Sequence, residues 1–197
     1  MKKDTLIFMG RSGSGKGTQI KLLKSYLSDI YPDEKVLHFE SGDGFRSLVK
    51  DEGYTNDRIR EIIAKGELVP DFITEWLLTD FLVKNMETET FSIFDGFPRT
   101  LKQAKTMDDI IDYYQLPNVK IIDVSVSEDE VRRRMLARGR GDDQLDVINK
   151  RIEWYNTNVL PVIQYFKENE NYKVLSINGE QSIDGVFQEI KEKLNYE

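Results

Sequence analysis

The chain has 197 residues, 39% of them hydrophobic, a net charge of −7, no cysteine and one histidine. That length suits one domain able to bury a core, and the missing thiols exclude a disulfide frame and thiolate zinc, so no zinc is expected. The acidic balance argues against nucleic acid, no apolar run reaches the ~18 residues of a membrane span, and the opening "MKKDTLIFMG" is too short for a signal core, so a cytoplasmic protein with no membrane partner is expected.

In chain order, "TLIFM" (5–9) reads as a buried strand, followed by "GRSGSGKGTQ" (10–19) and a helical pattern. The spacing fits G-x-x-x-x-G-K, the phosphate-binding loop, in its required strand–loop–helix setting. Glycines let main-chain N–H groups turn inward on an anion, and the following helix adds its positive end. Gly13, Ser14, Gly15, Lys16, Gly17 and Thr18 are therefore the candidate nucleotide-phosphate cradle, with Lys16 on the outer phosphates. A glycine follows the lysine where a magnesium-holding hydroxyl is usual, and the hydroxyl comes one place later at Thr18. A magnesium ion would then be held mainly by phosphate oxygens and water, with Asp95 its acidic partner through water.

"VLHF" (36–39) reads as a second strand, with His38 in a packing or edge role. Residues 41–70 are polar and glycine-punctuated, a small helical insertion over the sheet edge. In "DFITEWLLTDFL" the pairs Phe72/Trp76, Ile73/Leu77 and Leu77/Phe81 carry helical spacing, and Trp76 and Trp154 are expected in core or boundary positions. "FSIFD" (91–95), "VKIIDVSV" (119–126) and "YKVLSI" (172–177) supply three further strands. In "EDEVRRRMLAR" (128–138), Val131 and Met135 define the buried face, Arg132 and Arg133 face solvent, and Arg134 and Arg138 flank the core. Acid-before-base pairs Glu128/Arg132, Asp129/Arg133 and Glu130/Arg134 offer a surface role for the same arginines. After a break at 137–143, Ile148, Ile152, Tyr155, Val159 and Phe166 form a stripe that Arg151 flanks, with Pro161 expected to kink the helix. Ile183, Val186, Phe187, Ile190 and Leu194 mark a last helix.

Strand–helix alternation predicts an α/β fold with a five-stranded parallel sheet covered on both faces and ligands at the strands' carboxyl ends. All residues are assigned to one domain, with a core of 1–40, 71–136 and 144–197, an insertion at about 41–70 and a short lid at about 137–143.

Five stretches together resemble the adenylate kinases and their nucleoside monophosphate kinase relatives: "GKGTQ" (15–19), "SGDGFR" (41–46), "GELVPD" (66–71), "DGFPRTLKQA" (95–104) and "RGRGDD" (138–143) with Arg151. The resemblance implies a three-layer α/β/α fold of the P-loop NTPase type and magnesium-dependent phosphoryl transfer from ATP to AMP by a monomer. It also implies that Arg46 and Arg99 hold the monophosphate. Ser41 and Gln103 would touch its base, Val69 its ribose or base, with Gly42 and Gly96 alongside. Lys16, Arg99, Arg134, Arg138, Arg140 and Arg151 would surround the transferring phosphate. Arg11 and Ser12 replace the family's small residue and proline, so altered loop stiffness and an extra charge at the entrance are expected. Gly44 replaces a bulky residue, and the lid is very short.

Clustered guanidinium groups make independent sense, since like charges ~4 Å apart repel by about 4 kcal/mol at an effective dielectric near 20. A GTP-binding switch would need N-K-x-D, but Asn149-Lys150 is followed by Arg151 and Ile152. AMP is the expected acceptor; a UMP/CMP kinase and a non-catalytic adenine-nucleotide sensor are the alternatives.

Overall fold

The computed structural model describes residues 3–88, 90–139 and 143–196. Its strands are β1 (Thr5–Met9), β2 (Val36–Glu40), β3 (Phe91–Asp95), β4 (Val119–Ser125) and β5 (Lys173–Asn178). They form one sheet in the order β2-β3-β1-β4-β5, with every neighbouring pair parallel. β1 and β3 match the expected bounds, and the other three differ by one or two residues at their ends.

The helices are α1 (Lys16–Ile30), α2 (Ser41–Leu48), α3 (Tyr54–Ala64), α4 (Asp71–Asn85), α5 (Leu101–Tyr114), α6 (Glu128–Arg138), α7 (Leu145–Trp154), α8 (Leu160–Glu168) and α9 (Ile183–Leu194). Because both sheet faces are covered, the central strands are apolar throughout rather than alternating. Ile7 and Met9 point to one layer, with Leu78, Leu82, Met107, Val162 and Phe166. Leu6 and Phe8 point to the other, with Ile20, Leu23, Leu27, Val186 and Ile190. A smaller cluster of Phe45, Ile59 and Val69 holds α2 and α3 together, and Ile73 and Leu77 of α4 pack on it.

The stripe Ile148, Ile152, Tyr155, Val159 and Phe166 is buried as its spacing predicted. Pro161 lies in the first turn of α8, within an unbroken helical run over 145–168 and directly after a π turn at Tyr155–Val159 in which the Leu160 N–H reaches back to the Tyr155 carbonyl. Proline lacks an N–H and crowds the carbonyl four residues earlier, and the widened turn accommodates both effects.

The spacing in α4 misleads about its buried face. Phe72 and Trp76 are 64% and 53% exposed, whereas Thr74, Leu78 and Leu82 are buried. Trp76 is thus a surface residue. An apolar helix has several possible stripes, and sequence spacing alone did not rank them. Leu78→Ala is accordingly expected to destabilise the protein by about 2–5 kcal/mol, and Trp76→Ala by under ~1 kcal/mol. Urea unfolding of both variants checks this; equal losses would contradict the assignment.

Candidate active site

The carboxyl ends of β1, β2 and β3 lie side by side, with Phe8 opposite Asp95 and Glu40 opposite Asp95 in register. They open into a cleft of about 790 Å³, within the range of ligand sites. The loop after β1 forms one wall. Gly10, Gly13 and Gly15 have φ of 139°, 85° and 98°. A Cβ on Gly13 would lie 2.7 Å from Met135 Cγ, and one on Gly10 2.5 Å from the Val124 carbonyl oxygen. Left-handed backbone and close packing both call for glycine there. A Cβ on Gly17 would meet nothing within 4 Å, so chain packing does not require that glycine.

No side chain caps the start of α1, which leaves its positive end available to an anion. Lys16 folds back over the loop, donating to the carbonyls of Gly10 (2.8 Å) and Arg11 (3.1 Å). Burial pushes its ammonium pKa down, against the attraction of Asp95. Ser14 Oγ is buried without a hydrogen-bond partner, and Thr18 lines the cleft.

Arg11 adds no charge at the entrance, contrary to expectation. It turns inward, donating to the Val126 carbonyl (2.9 Å) and Asn156 Oδ1 (2.8 Å), with its guanidinium 4.8 Å from the centre of the Tyr155 ring. It braces the loop against the residue after β4 and against the π turn.

The opposite wall comes from α2, the β3–α5 loop and residues 66–69. Ser41 donates to the Gly96 carbonyl (2.9 Å) and accepts from Arg99 Nη2 (3.4 Å). A Cβ on Gly96 would sit 2.2 Å from Ser41 Oγ and 2.7 Å from Arg99 Nη2, so Gly96 makes that contact possible. The half-buried Arg99 guanidinium lies 5.5 Å from the centre of the Trp154 ring, and desolvation lowers its pKa. Arg46 donates to Glu40 (2.7 Å) and to Asp43; burial raises the Glu40 pKa, with repulsion from Asp43 and Asp95 adding to it. Gly42, Val69 and the nearly buried Gln103 complete this wall.

α6 and α7 bring in further cations. Arg134 donates to Glu130 (2.6 Å), Ser14 O (3.3 Å) and Gly179 O (2.9 Å). Arg138 makes a two-pronged contact with Asp143 (2.6 and 2.8 Å), which also lies 3.6 Å from Arg151. All three arginines line the cleft. Arg132 and Arg133 sit instead on surface carboxylates; Arg133 pairs with Glu130, and Arg132 takes Asp129. Arg140 lies outside the described residues.

The cleft thus gathers Gly13, Gly15, Lys16, Gly17, Thr18, Ser41, Gly42, Arg46, Val69, Asp95, Gly96, Arg99, Gln103, Arg134, Arg138 and Arg151. Trp154, expected at a core or boundary position, is half-buried and also lines the cleft, a place the sequence reading did not give it. It donates Nε1–H to the Gly66 carbonyl (2.9 Å), tying α7 to the segment after α3. Its spacing of three from Arg151 was the available signal, because both lie on one helix face.

No cluster of three or more His, Cys, Asp or Glu suited to a metal occurs among the described residues. Asp95, buried at the cleft floor beside Lys16, fits the alternative in which magnesium keeps its waters and is held by phosphate oxygens plus one or two carboxylates.

A parallel α/β sheet, a glycine loop opening a helix and an inward-facing basic cluster define a nucleotide-binding protein of the P-loop NTPase class. The sequence profile described as "Adenylate kinase" matches residues 8–171. Relatives carrying that description include one from Azobacteroides pseudotrichonymphae, 35% identical over 94% of each chain. Another, from Prochlorococcus marinus, is 33% identical over 98% of this chain and 100% of its own. "Adenylate kinase 1" of a Nostoc species is 32% identical over 96% and 97%. The chain belongs to the adenylate kinase family.

Asp123, opposite Met9 in register, is buried; burial raises its pKa against the pull of Lys167, Arg11 and Lys16. The folded state then holds its proton to higher pH than the unfolded state, so this group's contribution to stability falls as pH rises through the folded pKa. Asp123→Asn removes that dependence. Its stability relative to the unaltered protein is expected to improve from pH ~3, below the unfolded pKa, to neutrality. Unfolding curves across pH check this, and a pH-independent difference would contradict it.

Proposed function

We propose that the chain catalyses reversible transfer of the terminal phosphoryl group of ATP to AMP, giving two ADP. The observation that most supports this is the meeting of the glycine loop, Lys16, Arg99, Arg134, Arg138 and Arg151 around one cleft with Arg46 at its far wall. A single-nucleotide binder needs one phosphate site; this cleft has cations on both sides.

In this reading Gly13, Ser14, Gly15, Lys16, Gly17 and Thr18 hold the ATP phosphates. Arg46 and Arg99 orient the monophosphate, while Ser41, Gly42, Val69, Gly96 and Gln103 form its nucleoside pocket. An oxygen of the monophosphate forms the new bond to phosphorus, the bond to the bridging oxygen breaks, and ADP leaves with the electron pair. The acceptor is already anionic and needs no general base. Lys16, Arg99, Arg134, Arg138, Arg151 and Arg140 of the lid stabilise charge on the transferring group. Magnesium bound with ATP would neutralise phosphate charge, and Asp95 is the residue that would hold it, through water.

Residues 41–70 and 137–143 act as flaps that exclude water, since open solvent would permit hydrolysis. The protein acts as a cytoplasmic monomer on small nucleotides.

An assay of ADP formation with ATP, magnesium and each of AMP, CMP, UMP, GMP and dTMP tests the reading. AMP is expected to turn over best, and folded Lys16→Ala is expected to lose transfer. CMP or UMP ahead by about tenfold would overturn the acceptor assignment, tight binding without product would support a sensor, and activity in Lys16→Ala would contradict the role of that lysine.

A further inference from the structure

The aspartate that closes "GELVPD" is left without work by the proposed chemistry. Asp71 opens α4 and is absent from the cleft lining, whereas Gln103 is on that lining and only 2% exposed. The two meet behind the cleft wall: Gln103 Nε2 donates to Asp71 Oδ1 at 2.9 Å. The other end of the same amide, Oε1, accepts the Arg99 main-chain N–H at 2.7 Å. Thr100 Oγ1 also donates to Asp71 Oδ1 (3.1 Å) while accepting the Gln103 N–H (3.2 Å), so the starts of α4 and α5 are tied together there.

These partners determine which way the amide points. A main-chain N–H can only donate, and an ionised carboxylate can only accept. Turning the amide over would set two donors against each other at Arg99 and two acceptors against each other at Asp71. What remains of Gln103 for a ligand is one N–H and one lone pair of fixed polarity. A free glutamine amide reads a base edge of either polarity by flipping; this one is held.

The geometry points to Asp71 as a specificity-determining positioning residue: by holding Gln103 in one orientation, it favours a purine with an amino group at position 6 over one with a carbonyl there. The inference rests on the reading that Gln103 meets the base of the acceptor. An adenine edge offers an amino donor beside a ring acceptor, which an amide of fixed polarity can match. Hypoxanthine reverses that order, setting a carbonyl oxygen where the amide presents its own and a ring N–H where it presents an N–H.

The test compares kcat/KM for AMP and for IMP, which differ at the 6-position, in the unaltered protein and in Asp71→Ala, Asp71→Asn and Gln103→Ala. Asp71→Ala removes one of the two contacts that hold the amide, leaving the Arg99 N–H as the other, and the AMP-over-IMP ratio is expected to fall by about tenfold, the scale of one hydrogen bond, with KM for ATP unchanged. Asp71→Asn keeps an acceptor oxygen and is expected to preserve the ratio within about threefold. Should Asp71→Ala not fold, Asp71→Leu, which keeps the branched shape and has no acceptor oxygen, carries the same expectation. If Gln103→Ala lowers the ratio and Asp71→Ala does not, the positioning role is overturned while base reading by Gln103 stands. If Gln103→Ala leaves the ratio unchanged, base reading itself fails. Loss of activity toward both nucleotides in equal proportion in Asp71→Ala would mark a merely structural contact and overturn the proposal.

Discussion

Guanidinium and ammonium groups crowded into one buried cleft repel one another, and each must rest on a partner until phosphate arrives. The structure shows the resting places. Arg46 lies on Glu40 and Asp43, Arg134 on Glu130, and Arg138 with Arg151 on Asp143. Lys16 lies on the carbonyls of its own loop, and Arg99 stacks over Trp154. Like pairs ~4 Å apart cost about 4 kcal/mol at an effective dielectric near 20, so these partners are a condition for the cleft to exist. In the proposed function they would also set its response: a polyanion entering the cleft would displace carboxylates from the arginines.

The sheet supplies the positions from which this is done. Parallel strands end together, so the phosphate loop after β1, Glu40 and Ser41 after β2, and Asp95 and Gly96 after β3 reach one line. Connections on both faces then bring α6 and α7 over the same line from the far side. Close contacts fix the detail: Gly96 admits Ser41 and Arg99, and Gly13 admits Met135. Arg11, half-buried against Tyr155 and Asn156, ties a loop that lacks proline to the π turn.

Much of this was legible in the chain itself. Apolar runs bounded by polar segments located every strand of the sheet, because buried parallel strands are apolar on both faces and interrupt the helical periodicity. Arg134 and Arg138 were separable from Arg132 and Arg133 because Val131 and Met135 set the helical phase. What stayed hidden depends on long-range packing. The exposed face of α4 could not be ranked, since α4 is apolar on several sides and its burial is decided by α2, α5 and β2. Arg11 read as an entrance charge because nothing local shows that Tyr155 and Asn156 wait for it. Trp154 read as a core or boundary residue and Asp71 only as the end of the "GELVPD" stretch; their partners, Gly66 and Gln103, lie 88 and 32 residues away.

The central claim is that loop amides and inward-turned guanidines jointly neutralise two nucleotides, by exchanging internal carboxylates for phosphate. A crystal structure with a bisubstrate mimic, two adenosines joined through a polyphosphate, tests it most directly. The account predicts the polyphosphate lying over residues 10–18, with Arg46 turned from Glu40 and Asp43, and Arg138 from Asp143, toward phosphate oxygens. A polyphosphate bound elsewhere, or arginines still seated on their carboxylates with the mimic in place, would contradict it.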